Sequence, residues 1–257
     1  MTNDPASRAR RAIALVDLTE LGDQATDADV TALCARAVGA HGSVAAVCVW
    51  PRHVPIAAAA LAGTGVRIAT VVNFPGGDDS VDDVVELART AQSQGADEID
   101  LVLPYRAMLA GDHARATAMV AALRDTVEAG DGKRLKVILE TGELIDLELI
   151  REAAELAIRN GADFIKTSTG KTPVSATLAA TEVMLQAIHR LDPAVGLKPS
   201  GGIRTLADAD AYLAQADRIM GPDWVSPATF RFGASGLLTA LEAAAAGDTT
   251  VSSKSAY

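Results

Sequence analysis

Cysteine, histidine, lysine and aromatic residues are all scarce in this 257-residue chain. Its two cysteines, Cys34 and Cys48, form no CxxC pair and are too few to staple a domain of this size, which excludes a disulfide scaffold. The four histidines, at positions 41, 53, 113 and 189, make no HxH or HExxH pair, so neither a metal ion nor any other cofactor is expected. Aromatic residues make up 4% of the chain, leaving Ala, Val, Leu and Ile to build the core. Basic charge is outweighed, with 33 acidic against 23 basic residues and a formal net charge of −10. Such a surface repels phosphate backbones and anionic lipid, so no nucleic-acid or membrane partner is expected. Long apolar runs are missing too. Ile56–Ala62 and Ala243–Ala246 fall far short of the roughly 20 residues of a spanning helix, and Met1–Arg11 contains no apolar leader segment. A soluble, cytoplasmic protein is the expectation.

What is present is a regular alternation. Eight short apolar runs read as strands: Ile13–Leu18, Val44–Val49, Arg67–Val72, Glu98–Leu103, Leu135–Leu139, Phe164–Lys166, Gly196–Lys198 and Phe230–Phe232. Between them lie amphipathic helical segments such as Val81–Gln94 and Ile145–Asn160. In the second, Leu149, Ile150, Ala153, Leu156 and Ala157 share one face. Helices end at glycine before the next strand, in Gly95-Ala96-Asp97 and Gly161-Ala162-Asp163. Repeated strand–helix units imply a parallel sheet, and eight of them favour a single closed (β/α)8 TIM barrel of the α/β class. An open doubly wound sheet is the alternative, but Asp17-Leu18-Thr19 is unlike the Gly-rich fingerprint that follows its first strand. Residues 1–246 are read as the barrel domain and 247–257 (GDTTVSSKSAY) as a short flexible C-terminal tail.

Barrel chemistry sits at the C-terminal strand ends. Here those ends carry Asp17, Cys48, Asn73, Asp100, Glu140, Lys166, Lys198 and Gly233. Six of the 23 basic residues are lysines, and two of these six close strands. A desolvated lysine can lose its proton near neutrality, which arginine cannot. Lys166 is therefore either an amine nucleophile or an ion-paired structural lysine. Lys198 lies on the neighbouring strand, and if both point inward, repulsion and burial lower one amine's pKa and free it to form a Schiff base with a carbonyl. Lys136, earlier in its strand, is expected deeper than the mouth. Asp100, between Ile99 and Leu101, is the candidate acid/base, and Asp17 a supporting carboxylate. Cys48, with no histidine nearby in sequence, reads as a pocket-lining residue rather than a nucleophile. Three glycine turns follow late strands: Ser168-Thr169-Gly170-Lys171, Ser200-Gly201-Gly202 and Gly233-Ala234-Ser235-Gly236. Converging backbone N–H groups there would hold a phosphate. The acidic cluster Asp78, Asp79, Asp82 and Asp83 is expected at a helix N-terminus.

These segments resemble the deoxyribose-phosphate aldolase family of class I, Schiff-base aldolases. The resemblance rests on LVDLT (15–19), VCVWPR (47–52), TVVNFP (70–75), GADEID (95–100), VILETGEL (137–144), GADFIKTSTGK (161–171), KPSGGIR (198–204) and RFGAS (231–235). They span the chain in order. The resemblance implies reversible cleavage of 2-deoxy-D-ribose 5-phosphate to glyceraldehyde 3-phosphate and acetaldehyde, in deoxyribose catabolism. It implies Lys166 as the Schiff-base lysine, Lys198 as the lysine that perturbs it, and Asp100 as the acid/base group. Tyr257 on the tail becomes a candidate proton relay. The substrate pocket is expected to draw on Asp17, Thr19, Cys48, Thr169, Gly170, Lys171, Gly201, Gly202, Arg204, Gly233, Ser235 and Gly236. Gly236 departs from the serine often found there, at the loss of one hydroxyl. The partners implied are a phosphorylated sugar and an aldehyde, and a homodimer is compatible with the sequence. Another Schiff-base lyase, transaldolase-like in its acceptor, is the near alternative. A non-catalytic sugar-phosphate-binding barrel is the alternative of a different class.

Overall fold

The computed structural model describes residues 4–127 and 132–247. Eight parallel strands alternate with helices: β1 (Val16–Glu20), β2 (Ala46–Val49), β3 (Arg67–Val72), β4 (Glu98–Val102), β5 (Arg134–Ile138), β6 (Phe164–Lys166), β7 (Gly196–Lys198) and β8 (Phe232–Ala234). From β1 to β7 each strand pairs with the next, and β8 pairs back onto β1 with Asp17 opposite Gly233. Isolated parallel bridges Leu197↔Phe230 and Ser200↔Gly233 join the edges of β7 and β8. The expected (β/α)8 barrel is thereby nearly closed, its seam held by these bridges rather than by a full ladder.

The sequence cues explain the joints. Helices start where a Ser, Thr or Asp side chain accepts a backbone N–H: Thr26, Ser80, Asp112, Asp146, Thr177 and Thr205. The acidic cluster behaves accordingly, with Asp82 and Asp83 in the first turn after Ser80. The two Gly-Ala-Asp segments perform one task twice. Gly95 and Gly161 adopt positive φ of 110° and 88°, and Ala96 and Ala162 donate back to Ala91 and Ala157 in Schellman turns. The aspartate that follows then accepts the N–H of the adjacent strand, Asp97 from Ile68 (3.0 Å) and Asp163 from Leu135 (2.7 Å).

Some boundaries differ from the expected ones. Ile13 ends a helix, Pro5–Ile13, rather than opening β1. Asp4 caps that helix and Pro5 presets its first turn, so Ala12 and Ile13 pack from a helix. The helix expected from Ile145 starts at Leu147, because Ile145 itself sits at φ 59° and Asp146 is the cap. β8 is displaced two residues along the chain, and Phe230 meets the sheet through its bridge to Leu197.

The main apolar core lies between barrel and helices. It includes Leu18, Val47, Val49, Leu101, Val137 and Ile165 on the strands and Val84, Met119, Ile150, Met184 and Leu241 on the helices. Inside the barrel a small apolar wedge of Cys48, Ala69 and Val71 occupies the β2–β3 side. The rest of the interior is ionic. Side chains two apart in a strand share a face, so Glu98 and Asp100 both point inward, as do Phe164 and Lys166. Most of the tail expected at 247–257, Tyr257 included, lies outside the described residues.

Candidate active site

Seven buried charged side chains meet inside the barrel. Lys166 Nζ donates to Asp100 Oδ2 at 2.9 Å, and Lys198 Nζ to the same oxygen at 2.8 Å. Lys136 Nζ bonds Asp100 Oδ1 at 3.0 Å and Asp17 Oδ2 at 3.1 Å, and also pairs with Glu98. Lys198 reaches Asp17 Oδ2 at 2.6 Å. Arg231 bonds Asp17 Oδ1 at 2.6 Å and Glu98 Oε1 at 3.1 Å while lying over the Phe164 ring. Register brings these groups together, since Asp100 stands opposite Lys136 and Lys166 opposite Lys198 on adjacent strands.

Counting charges separates the three lysines. The network holds three carboxylates against three lysines and one arginine, a surplus of one cation among fully or almost fully buried groups. Arginine keeps its proton. Lys136 touches three carboxylates and Lys198 two, whereas Lys166 touches Asp100 alone. The shifts follow. Burial lowers the Lys166 pKa, and repulsion from Lys198 adds to it against the pull of Asp100. Burial also presses on Lys136 and Lys198, but their carboxylates outweigh it and both are raised. Burial would raise Asp100 and Asp17, yet the surrounding cations hold both below the ordinary carboxylate range. Lys166 is thus the one lysine of this network whose pKa is lowered.

Lys166 also opens onto a cavity of about 820 Å³ at the C-terminal mouth. Of the residues the sequence singled out, Thr19, Thr169, Gly170, Lys171, Gly201, Gly202, Arg204, Gly233, Ser235 and Gly236 line it with Lys166. Gly201 and Gly202 take φ of 80° and 78°, a left-handed conformation that turns their N–H groups along the loop at little cost. Gly236 caps the helix Leu237–Ala245, whose N-terminus faces the cavity. Asp100, Lys198, Asp17 and Cys48 do not line it; they lie beneath the floor, fully buried. Burial, with Asp100 adding to it, raises the Cys48 thiol pKa, against nucleophilic use. Lys171 pairs with Asp23 at 2.9 Å and lies 6.0 Å from the Trp50 ring centre. Among the described residues, no group of three His, Cys, Asp or Glu side chains could hold a metal ion.

Reading strand ends missed the deeper members, Glu98 and Arg231, and left Lys136 without a role. The signal was available: Glu98 lies two residues before Asp100, and Arg231 two before Gly233, so each shares its inward face. Glu140 was noted only as a strand end. It adopts φ 56°, is fully buried, and accepts the Thr169 N–H at 3.3 Å and the Thr172 hydroxyl at 3.3 Å. Burial raises its pKa against those hydrogen bonds. Ser200, Glu20, Leu21 and Ile203 complete much of the lining.

Comparison with known proteins places this geometry. Residues 11–242 match the profile of the DeoC/LacD family of aldolases. A deoxyribose-phosphate aldolase from Agrobacterium fabrum (strain C58) is 52% identical over 235 residues, 91% of this chain and 90% of that protein. A Toxoplasma gondii ME49 structure, provisionally assigned as a deoxyribose-phosphate aldolase, superposes with a TM-score of 0.85 at 27% identity, covering 95% of this chain and 96% of that one. A Coccidioides immitis structure with the same provisional assignment gives 0.80 at 30% identity, over 91% and 85%.

Proposed function

Because the chain belongs to the DeoC/LacD aldolase family, we propose that it cleaves 2-deoxy-D-ribose 5-phosphate reversibly to glyceraldehyde 3-phosphate and acetaldehyde, through a Schiff base on Lys166. The observation that carries this reading is the single-carboxylate contact of Lys166 in a network with one cation too many. Loss of one proton balances the charge and leaves an amine with a free electron pair facing the cavity.

Lys166 Nζ attacks the open-chain aldehyde at C1, and loss of water leaves an iminium. The iminium nitrogen keeps a single N–H, so its hold on Asp100 Oδ2 weakens. Asp100, ionised throughout the working range, takes the C3 hydroxyl proton through water. The C2–C3 electron pair moves into the iminium, and glyceraldehyde 3-phosphate leaves with its new carbonyl. The resulting enamine is protonated at C2, and hydrolysis returns acetaldehyde and free Lys166. Tyr257, outside the described residues, is the proposed donor for that protonation. Gly170, Gly201, Gly202, Gly233 and Gly236, with Lys171, Arg204 and Ser235, would hold the phosphate, with Thr19 and Thr169 beside it. Lys198 and Asp17 act from below by setting the charge around Lys166 and Asp100. Deoxyribose catabolism in the cytoplasm is the setting this reading implies, and a homodimer is compatible with it; no helix of the described residues is long and apolar enough to cross a membrane.

A coupled assay for glyceraldehyde 3-phosphate released from deoxyribose 5-phosphate tests the reading. Wild type should turn over and Lys166→Arg should not, a loss of at least about 10³-fold. Turnover retained in the arginine variant contradicts the Schiff-base reading. Phosphosugar binding without turnover in the wild type would instead support a non-catalytic barrel.

A further inference from the structure

Among the described residues, the buried side-chain polar atoms without a hydrogen-bond partner are Arg8 Nε and the hydroxyls of Thr141, Ser168 and Ser200. Of these residues, Ser200 lines the cavity. It is 4% exposed, and its backbone is fixed on both sides. The Ser200 N–H donates to Thr167 Oγ1 at 3.0 Å, and its carbonyl accepts the Ala176 N–H at 3.1 Å. It bridges Gly233 across the barrel seam. A Cβ on Gly233 would collide with the Ser200 hydroxyl, so the glycine there makes room for that hydroxyl. A buried hydroxyl so placed carries a desolvation penalty until something bonds it, and the residue that carries it lines the cavity.

Its position along the cavity narrows the partner. Ser200 stands two residues beyond Lys198, which pairs in register with Lys166, and directly before Gly201-Gly202. It therefore lies between the reactive amine and the glycine turns. With C1 on Lys166 and the C5 phosphate at those turns, the substrate hydroxyls in between are on C3 and C4. The C3 proton goes toward Asp100, and C4 adjoins the phosphate end. We propose that Ser200 is a specificity-determining residue whose hydroxyl hydrogen-bonds the C4 hydroxyl of the sugar phosphate. That atom becomes the C2 hydroxyl of glyceraldehyde 3-phosphate. Resting on the proposed function, this makes the enzyme selective, in the synthetic direction, for phosphorylated acceptor aldehydes with a hydroxyl beside the carbonyl. A site that hydrogen-bonds a substrate hydroxyl disfavours the analogue lacking it, because its own polar group is then left unpaired.

The test is addition of acetaldehyde to two acceptors, D-glyceraldehyde 3-phosphate and 3-oxopropyl phosphate, which lacks that hydroxyl, by wild type and Ser200→Ala. The variant should lose about five- to tenfold in kcat/KM with glyceraldehyde 3-phosphate and remain near wild type with the deoxy acceptor. The unchanged second rate also shows that the variant is folded. Equal loss on both acceptors, or no loss on either, overturns the assignment of Ser200. A wild type that turns over neither acceptor overturns the proposed function instead.

Discussion

Lys166 differs from Lys136 and Lys198 in what it touches rather than in how deeply it lies. All three are buried, but one carboxylate contact against two or three decides which ammonium is dispensable. Lys198 acts on this choice twice: it repels the Lys166 cation, and it shares Asp100 Oδ2, dividing that oxygen's attraction. Replacing it by methionine removes both effects with the same sign, so the Lys166 pKa rises. The acid limb of the kcat/KM–pH profile should then move to higher pH, with activity at neutral pH reduced about 10- to 100-fold. An unmoved limb would show that Lys198 does not set the amine. The lysine pair was legible in the sequence because it closes two strands in a chain that otherwise prefers arginine. Its decisive feature, the count of carboxylates around each amine, was not, since Asp17 joins Glu98 and Asp100 only through barrel closure.

At the scale of elements, the turn after β6 owes its shape to the end of β5. Glu140, in a left-handed conformation that carries strain for a non-glycine residue, ties down the Thr169 N–H and the Thr172 hydroxyl. These residues flank Gly170 and Lys171 of the proposed phosphate turn. Glu140→Ala should raise KM for deoxyribose 5-phosphate about tenfold, with a smaller change for unphosphorylated deoxyribose. An equal change for both would give Glu140 a role unconnected with the phosphate turn. Element positions were largely readable: Arg67–Val72, Phe164–Lys166 and Gly196–Lys198 stand where the apolar runs put them. The misplaced ends have local causes. A proline-initiated helix claimed Ile13, and Ile145 was an apolar residue spent on a turn, exposed at 76%. Hydrophobic pattern cannot separate such a residue from a helical face.

On the scale of the whole molecule, the barrel centre trades apolar packing for paired charge, so its stability depends on keeping the set complete. Glu98→Gln leaves Lys136 and Arg231 short of a carboxylate, and urea unfolding should report a loss of about 3–5 kcal/mol. A loss under about 1 kcal/mol would mean that the pairs are solvated. The sign of the pH effect follows from Asp17 and Asp100, whose pKa values lie below the ordinary 3.8 in the folded state. Their contribution is present above that value and is lost as pH falls from it toward their folded values, so stability should decline below about pH 4. Fold class came through in the sequence because strand–helix alternation is a chain-long pattern. The ionic interior did not, because a lone charge in a strand of five looks like a surface residue until its neighbours are known. The central claim, that Lys166 is the amine made neutral by this arrangement, is tested most directly by incubating the enzyme with acetaldehyde and borohydride and mapping the product by mass spectrometry. The account predicts one reduced two-carbon adduct, on the peptide carrying Lys166, with Lys136 and Lys198 unmodified. An adduct on either of those lysines with Lys166 untouched, or no adduct at all, would contradict it.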